Sequence, residues 1–112
     1  MKTIMISQGD FIDRHSILII KDSNGLDVKQ ELLQYAEQVD DDPAYNYYLK
    51  IIISVNKQLW ELEDRKRKEV ERYSKEESDV SFLITQLNDL RHQVKKAADR
   101  YFNSAITEKK SH

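Results

Sequence analysis

Two long stretches of this sequence carry apolar side chains at alternating steps of three and four residues, from Pro43 to about Lys75 and from about Ser78 to Asn103. Such spacing places the side chains on one side of an α-helix, whereas a strand would alternate at every second residue. The polar segment 74–78 separates the stretches, so we expect the two helices to fold back as an antiparallel hairpin. The apolar positions are Tyr45, Tyr48, Ile52, Val55, Leu59 and Leu62, then Val80, Leu83, Leu87, Leu90, Val94, Ala97 and Tyr101.

Two shorter helices are predicted before the hairpin, over residues 9–22 and 27–39. Ser7 or Asp10 is a suitable cap for the first of them. The long helix is predicted to begin at Pro43, because an aspartate followed by proline is typical of a helix start. The whole chain is therefore predicted to be one all-α domain.

Both ends of the chain are predicted to lie outside the helices. Residues 1–8 are interpreted as an extended arm or a short β-strand, which would need a pairing partner. Residues 104–112 are interpreted as a polar tail. The four predicted helices therefore lie between residues 9 and 103, the long ones over 43–75 and 78–103.

The composition excludes several classes of protein. A net charge of −2 gives no basic field for a general nucleic-acid coat, and no apolar run approaches the roughly 20 residues that cross a bilayer. The absence of cysteine is compatible with a reducing cytoplasm, or the host cytoplasm if a phage encodes the chain. The helix over 49–62 is apolar on more than one side, since Trp60 lies outside the main row of apolar positions. We therefore expect a homo-oligomer, with a monomer as the alternative.

The predicted hairpin brings polar residues of its two helices together. A turn centred near Glu77 would place Glu63 and Asp64 level with Asn88 and Arg91. Helical spacing puts Asn56, Trp60, Glu63 and Arg67 on one face of the first long helix, and Asn88, Arg91 and Lys95 on one face of the second.

This polar patch has two interpretations. As a ligand site, it would hold an anion on Arg91, Lys95 and Arg14 beside Asn88, while Trp60 stacks on a ring. As a structural network, it would fix the register of the helices through ion pairs. The carboxylates considered for the network, or for a metal, are Asp13, Glu63, Asp64 and Asp89.

An enzymatic alternative would use Glu63, Asp64 and Asp89 as ligands for Mg²⁺ or Mn²⁺. Residues 61–64 form an E-x-x-D pair that resembles those of the all-α nucleotide pyrophosphohydrolases. Residues 86–89 depart from that pattern, since Gln86 stands where the first carboxylate of the second pair is expected. Otherwise no cofactor is predicted, and the sequence has no nucleophile motif or P-loop.

The remaining charged and titratable residues receive ordinary interpretations. His15 and His92 have no metal-ligand spacing and are expected to be surface or interface side chains. The basic run 65–68 is interleaved with glutamates and is expected to be a solvated face.

Several ordered motifs resemble an uncharacterised family of small bacterial and phage proteins. Residues 7–14 (SQGDFIDR) are similar to its S-x-G-E-L-x-D-K, and residues 56–64 carry its N-x-x-L-W-x-x-E-D. Residues 88–95 match its N-D-x-R-x-x-x-K, and the chain end is similar to its S-x-I-x-E-E-K-S-Y. The departures are Asp10 for Glu, Arg14 for Lys, Lys109 for Glu and His112 for Tyr.

The resemblance indicates which residues could form a site. It implies no activity, because the family is a domain of unknown function. The matched polar positions are Ser7, Asp13, Arg14, Glu63, Asp64, Asn88, Asp89, Arg91, Lys95 and Lys110. The predicted hairpin brings together the positions in the middle of that list, from Glu63 to Lys95, so these positions coincide with the polar patch.

The sequence favours a non-enzymatic protein that binds an anionic small molecule, such as a nucleotide or a sugar phosphate. In a phage, such a protein would fit a sponge that sequesters a nucleotide signal, by analogy with other compact helical phage proteins. A third hypothesis is a protein-interaction module that docks its partner on Tyr45, Tyr47, Tyr48 and Trp60.

Overall fold

The computed structural model of the protein describes residues 6–39 and 41–110, with side chains described as far as residue 103. It contains four helices: α1 (Gln8–Ser23), α2 (Lys29–Glu37), α3 (Pro43–Lys68) and α4 (Lys75–Lys110). The all-α prediction is confirmed, and no strand is present among these residues. The predicted arm or strand falls largely on residues 1–5, which lie outside the described part. None of the described helices has a stretch long and apolar enough to cross a bilayer.

The helix starts follow the predicted caps. The Ser7 hydroxyl accepts a hydrogen bond from the backbone N–H of Asp10 at 3.1 Å, at the start of α1. The Asp42 carboxylate accepts one from the N–H of Ala44 at 2.9 Å, and Pro43 is the first residue of α3. These side chains satisfy N–H groups that the first turn of a helix leaves unpaired.

The connection between the long helices corrects two predicted boundaries. The helix α3 ends at Lys68 rather than at residue 75, and α4 begins at Lys75 rather than at residue 78. The chain reverses through Tyr73, whose φ of 63° is left-handed and incompatible with a continuing helix. Ser74 then caps α4, since its hydroxyl accepts from the N–H of Glu77 at 3.1 Å.

The far end of α4 is also longer than predicted. Helical backbone continues through Lys110, over most of the segment that we interpret from sequence as a polar tail. The sequence between 103 and 110 contains neither glycine nor proline, so it carries no signal that would end the helix.

Three of the helices form the body of the fold. Helices α3 and α4 pack as the predicted antiparallel hairpin, and α1 packs against both of them. Two ion pairs, Asp10–Lys95 and Asp13–Arg91, show that α1 runs antiparallel to α4 and therefore parallel to α3. The helix α2 packs on α1.

The core consists of two apolar clusters that are separated by polar side chains. One cluster lies towards the C-terminal end of α4 and contains Ile12, Tyr45, Ile52, Ala98 and Phe102. The other lies towards the hairpin connection and contains Val55, Leu59, Val80 and Ile84. Between them are the buried polar residues Asp13, Ser16 and Asn56.

Gly9 allows α1 to approach α4 closely. Its N–H donates to Oδ1 of Asp99 at 2.7 Å, which places a carboxylate at the positive end of α1. A Cβ atom at this position would overlap the backbone carbonyl oxygen of Lys95, closer than real Cβ atoms come. Because that obstacle is backbone, a side chain here would have to push the two helices apart.

We expect Gly9→Ala to lower the free energy of unfolding by about 1–3 kcal/mol through this overlap, although alanine is the better helix former. Gly25→Asn is the control: Gly25 has φ of 80° and nothing near its Cβ position, and asparagine tolerates that conformation. Urea unfolding of both variants checks the prediction. Equal stabilities would contradict the close approach of α1 to α4.

Candidate ligand-binding site

A single buried carboxylate joins the three packed helices. Asp13 of α1 is 4% exposed. Its Oδ1 accepts from Nδ2 of Asn56 on α3 at 2.8 Å. Arg91 of α4 donates through Nε to Oδ1 at 2.8 Å and through Nη2 to Oδ2 at 2.5 Å. Asn56 also donates to the hydroxyl of Ser16 at 2.7 Å. We call these four residues the Asp13 junction.

The junction holds Asp13 in its charged form. Burial alone would raise the pKa of the carboxyl group, but hydrogen bonds from Arg91 and Asn56 outweigh burial and keep the pKa below its ordinary value of 3.8. The same pairing raises the pKa of Arg91. Because the folded-state pKa of Asp13 is depressed, its contribution to stability is present above pH 3.8 and is lost as the pH falls through the folded-state value.

Lys95 extends the junction towards the N-terminus of α1. Its Nζ lies 2.7 Å from Oδ1 of Asp10 and 4.0 Å from Oδ2 of Asp13. The hydrogen bond from Lys95 lowers the pKa of Asp10. Two of the three cations predicted to hold an anion, Arg91 and Lys95, are therefore already paired with carboxylates of α1. The third, Arg14, is exposed on α1.

A cavity of about 420 Å³ lies beside the junction, between α1, α3 and α4. Its apolar wall is formed by Ile17, Ile20 and Leu59. Its other lining residues are Asn56, Trp60, Glu63, Arg67, Asn88 and Arg91. Apolar walls with a few converging polar groups are typical of small-molecule sites, and the volume lies in their usual range.

Six of the residues that line this cavity lie on the helix faces predicted from the sequence. The four residues expected together on α3 all line the cavity, and so do Asn88 and Arg91. Lys95 lies next to them in a smaller adjoining cavity of about 180 Å³, lined also by His92. Arg14 does not line either cavity, so its predicted part in binding has no support from position.

Two carboxylates of the predicted polar patch, Asp64 and Asp89, lie outside the cavity. The connection lies at residues 69–74, earlier than the turn predicted near Glu77. Asp64 pairs with Lys68 and Arg67 of its own helix, at 3.0 and 3.6 Å, and these pairs lower its pKa. Asp89 is exposed and lines neither cavity.

The carboxylate set proposed for a metal is not assembled. Within the described residues, no group of three or more histidine, cysteine, aspartate or glutamate side chains is arranged to hold an ion. Glu63 lines the cavity, whereas Asp64 and Asp89 do not. The geometry therefore does not support Glu63, Asp64 and Asp89 as a shared ligand set.

A second buried polar contact was missed by the sequence analysis. Nδ1 of His15 and the hydroxyl of Tyr45 are joined by a hydrogen bond of 2.7 Å, and the two residues are 6% and 1% exposed. Phe11 and Tyr35 lie against them, with the rings of Phe11 and Tyr35 stacked 4.8 Å apart. Of the two placements expected for His15, surface or interface, the surface one is wrong, since its side chain is buried where α1 meets α2 and α3. Tyr45 is not available for docking a partner. Burial lowers the pKa of His15.

Comparisons of this chain with family models, curated proteins and solved structures found no match. The resemblance to the uncharacterised bacterial and phage family therefore stays a prediction. Of its matched positions, Arg91 and Lys95 both lie within 4.0 Å of Asp13 in the fold.

We expect Arg91→Ala to lower the free energy of unfolding by about 2–3 kcal/mol, because Asp13 would stay buried without its partner. Arg65→Ala is the matched control. It removes an arginine whose pair with Glu76 is about half exposed, and it should change stability by less than about 1 kcal/mol. Urea unfolding at neutral pH measures both values. Similar losses in the two variants would show that the junction does not hold the helices together.

We expect the free energy of unfolding to fall as the pH drops below 6.5, the ordinary pKa of histidine. Because the folded-state pKa of His15 is lowered, the unfolded chain binds more protons in that range. His15→Gln should flatten this part of the curve. Urea unfolding between pH 5 and pH 7.5, above the range in which Asp13 contributes, provides the test. A variant with the slope of the parent would exclude His15 as its cause.

Proposed function

We propose that this protein is a non-enzymatic binding protein whose cavity between α1, α3 and α4 takes a small molecule with a planar ring and an anionic group. The observation that carries the proposal is the convergence of Trp60, Asn88 and Arg91 on one apolar-walled cavity of about 420 Å³. An indole offers a stacking surface, an amide offers hydrogen bonds and a guanidinium offers a charge. That combination suits a nucleotide or a ring-bearing sugar phosphate.

The arrangement of Arg91 supports this proposal despite its ion pair. Asp13 engages Nε and Nη2 of the guanidinium, which has five N–H donors in a rigid fork. Among the described residues no hydrogen bond to Nη1 is found, so that edge remains for a ligand. A guanidinium that is already held in place loses less conformational freedom on binding, which favours affinity.

The charges around the cavity limit the ligand that fits. Asp13 offsets the charge of Arg91, while Glu63 and Arg67 contribute one charge of each sign. Arg67 is the more adaptable cation, since its side chain is 69% exposed and its contact with Asp64 is 3.6 Å long. A ligand with one phosphate or carboxylate therefore suits the site better than a triphosphate. A sponge for a nucleotide signal is included in this proposal, because sequestration needs affinity and no catalytic group.

We expect one ligand class to raise the unfolding midpoint in a screen of nucleoside monophosphates, cyclic dinucleotides, nucleotide sugars and sugar phosphates, with EDTA present. At about 100 times its dissociation constant, a ligand stabilises the fold by about 2.7 kcal/mol, which corresponds to a shift of roughly 10 °C.

Titration calorimetry of three variants then locates the ligand. Trp60→Leu and Arg67→Gln should each weaken binding about ten-fold or more, since they remove the stacking surface and the adaptable charge. Arg14→Gln is the control, because it removes a guanidinium of α1 that does not line the cavity. The proposal fails if no ligand shifts the midpoint, or if Trp60→Leu and Arg67→Gln bind like the parent.

A further inference from the structure

The surface between α3 and α4 has a second groove, to which α1 and α2 contribute no lining residue. It has a volume of about 530 Å³, and its apolar floor is made of Leu62, Leu83, Leu87 and Leu90. Gln58, Glu61, Arg65 and Gln86 line its rim. It shares no lining residue with the proposed ligand cavity, so the two surfaces can be tested independently.

Helix α4 is apolar on two sides, and the groove exposes the second side. Val80, Ile84, Ala98 and Phe102 are the α4 residues buried in the core. The α4 leucines of the groove belong to the row Leu83, Leu87, Leu90, Val94 and Ala97, at alternating steps of four and three. Leu87 and Val94 also pack against the core. That spacing is the seam of a coiled coil. Leu83 and Leu90 are nevertheless 45% and 43% exposed, which is typical of a helix face that packs on a partner.

The charges along α4 indicate which partner fits. Acidic Asp79 is exposed before the leucines of the groove, and basic Arg100 is exposed after them. The two residues are three heptads apart, so both flank the same edge of the leucine row. In a second copy of α4 that runs antiparallel, with its centre near Leu90, the basic end would lie against the acidic end of the first copy. Its acidic end would in turn lie against the basic end of the first copy. The acidic end and the basic end of the surface would then each face the opposite charge on the same partner, as in a two-fold symmetric interface.

We propose that this groove is a homodimer interface in which α4 packs antiparallel on α4 of a second copy, with the two-fold axis near Leu90. The two hairpins together make a four-helix arrangement that covers Leu83 and Leu90 in both copies. Asp79 and Arg100 lie 11 and 10 residues on either side of Leu90 and flank the same edge of the leucine row, so they form two equivalent ion pairs across the interface.

Sedimentation velocity of the full chain tests the assembly. We expect the parent to sediment with twice its chain mass of 13.3 kDa and the double variant Leu83→Glu/Leu90→Glu to sediment as a monomer. The control is Leu33→Glu, a 64% exposed leucine on α2, which should stay dimeric. Circular dichroism establishes that each variant is helical. A monomeric parent, or a dimeric Leu83→Glu/Leu90→Glu variant, would overturn the proposal.

A charge exchange tests the antiparallel arrangement. Asp79→Arg and Arg100→Asp should each raise the dimer dissociation constant about ten-fold, because each creates two like-charge contacts. The variant that carries both charge exchanges should recover the dissociation constant of the parent, since opposite charges face each other again. Both positions are exposed, so folding should not interfere. A double variant no tighter than the single ones would contradict the antiparallel pairing of α4.

Discussion

The pairing of Asp13 with Arg91 is the interaction on which the arrangement of helices depends. Apolar contacts between helices are not directional, so the two clusters of the core would tolerate a helix that slides or rotates. A buried carboxylate does not tolerate it, because any shift that removes Arg91 or Asn56 leaves a charge without partners. Asp13 takes hydrogen bonds from α3 and from α4. It therefore fixes the position of α1 against both helices of the hairpin.

The same contact prepares one wall of the proposed ligand cavity. In the sequence, Arg91 is compatible with an ion pair and with an anion site. In the structure it forms the ion pair with Asp13 and also lines the cavity. Asp13 uses one edge of the guanidinium, and the side chain still lines the cavity. A fixed cation backed by a carboxylate attracts an anion less strongly than a free one. Selectivity would then come from Trp60 and Asn88 as much as from charge.

Much of this fold could be predicted because helix periodicity and caps are local signals. The Asp42-Pro43 start was identified correctly, and so was the shared face of Asn56, Trp60, Glu63 and Arg67. The hairpin connection could not be placed, because it depends on a left-handed tyrosine, and nothing in the residue type indicates that conformation. A usable signal was nevertheless present: Ser74 and Glu77 have the S-x-x-E spacing of a capping box.

The rotation of α4 could not be predicted from apolar periodicity, because a polar contact decides it. The most regular apolar row of α4, which contains Leu83, Leu87 and Leu90, was expected to face α3. In the structure, Ile84 and Ala98 are buried in the core, whereas Leu87 and Val94 of the predicted row pack only partly against it. Arg91 lies on the side of Ile84 and Ala98, at seven-residue spacing from both. Because Arg91 must reach Asp13, α4 is turned so that this side points inwards. The regular leucine row is consequently left half exposed, and a second copy of α4 would cover it.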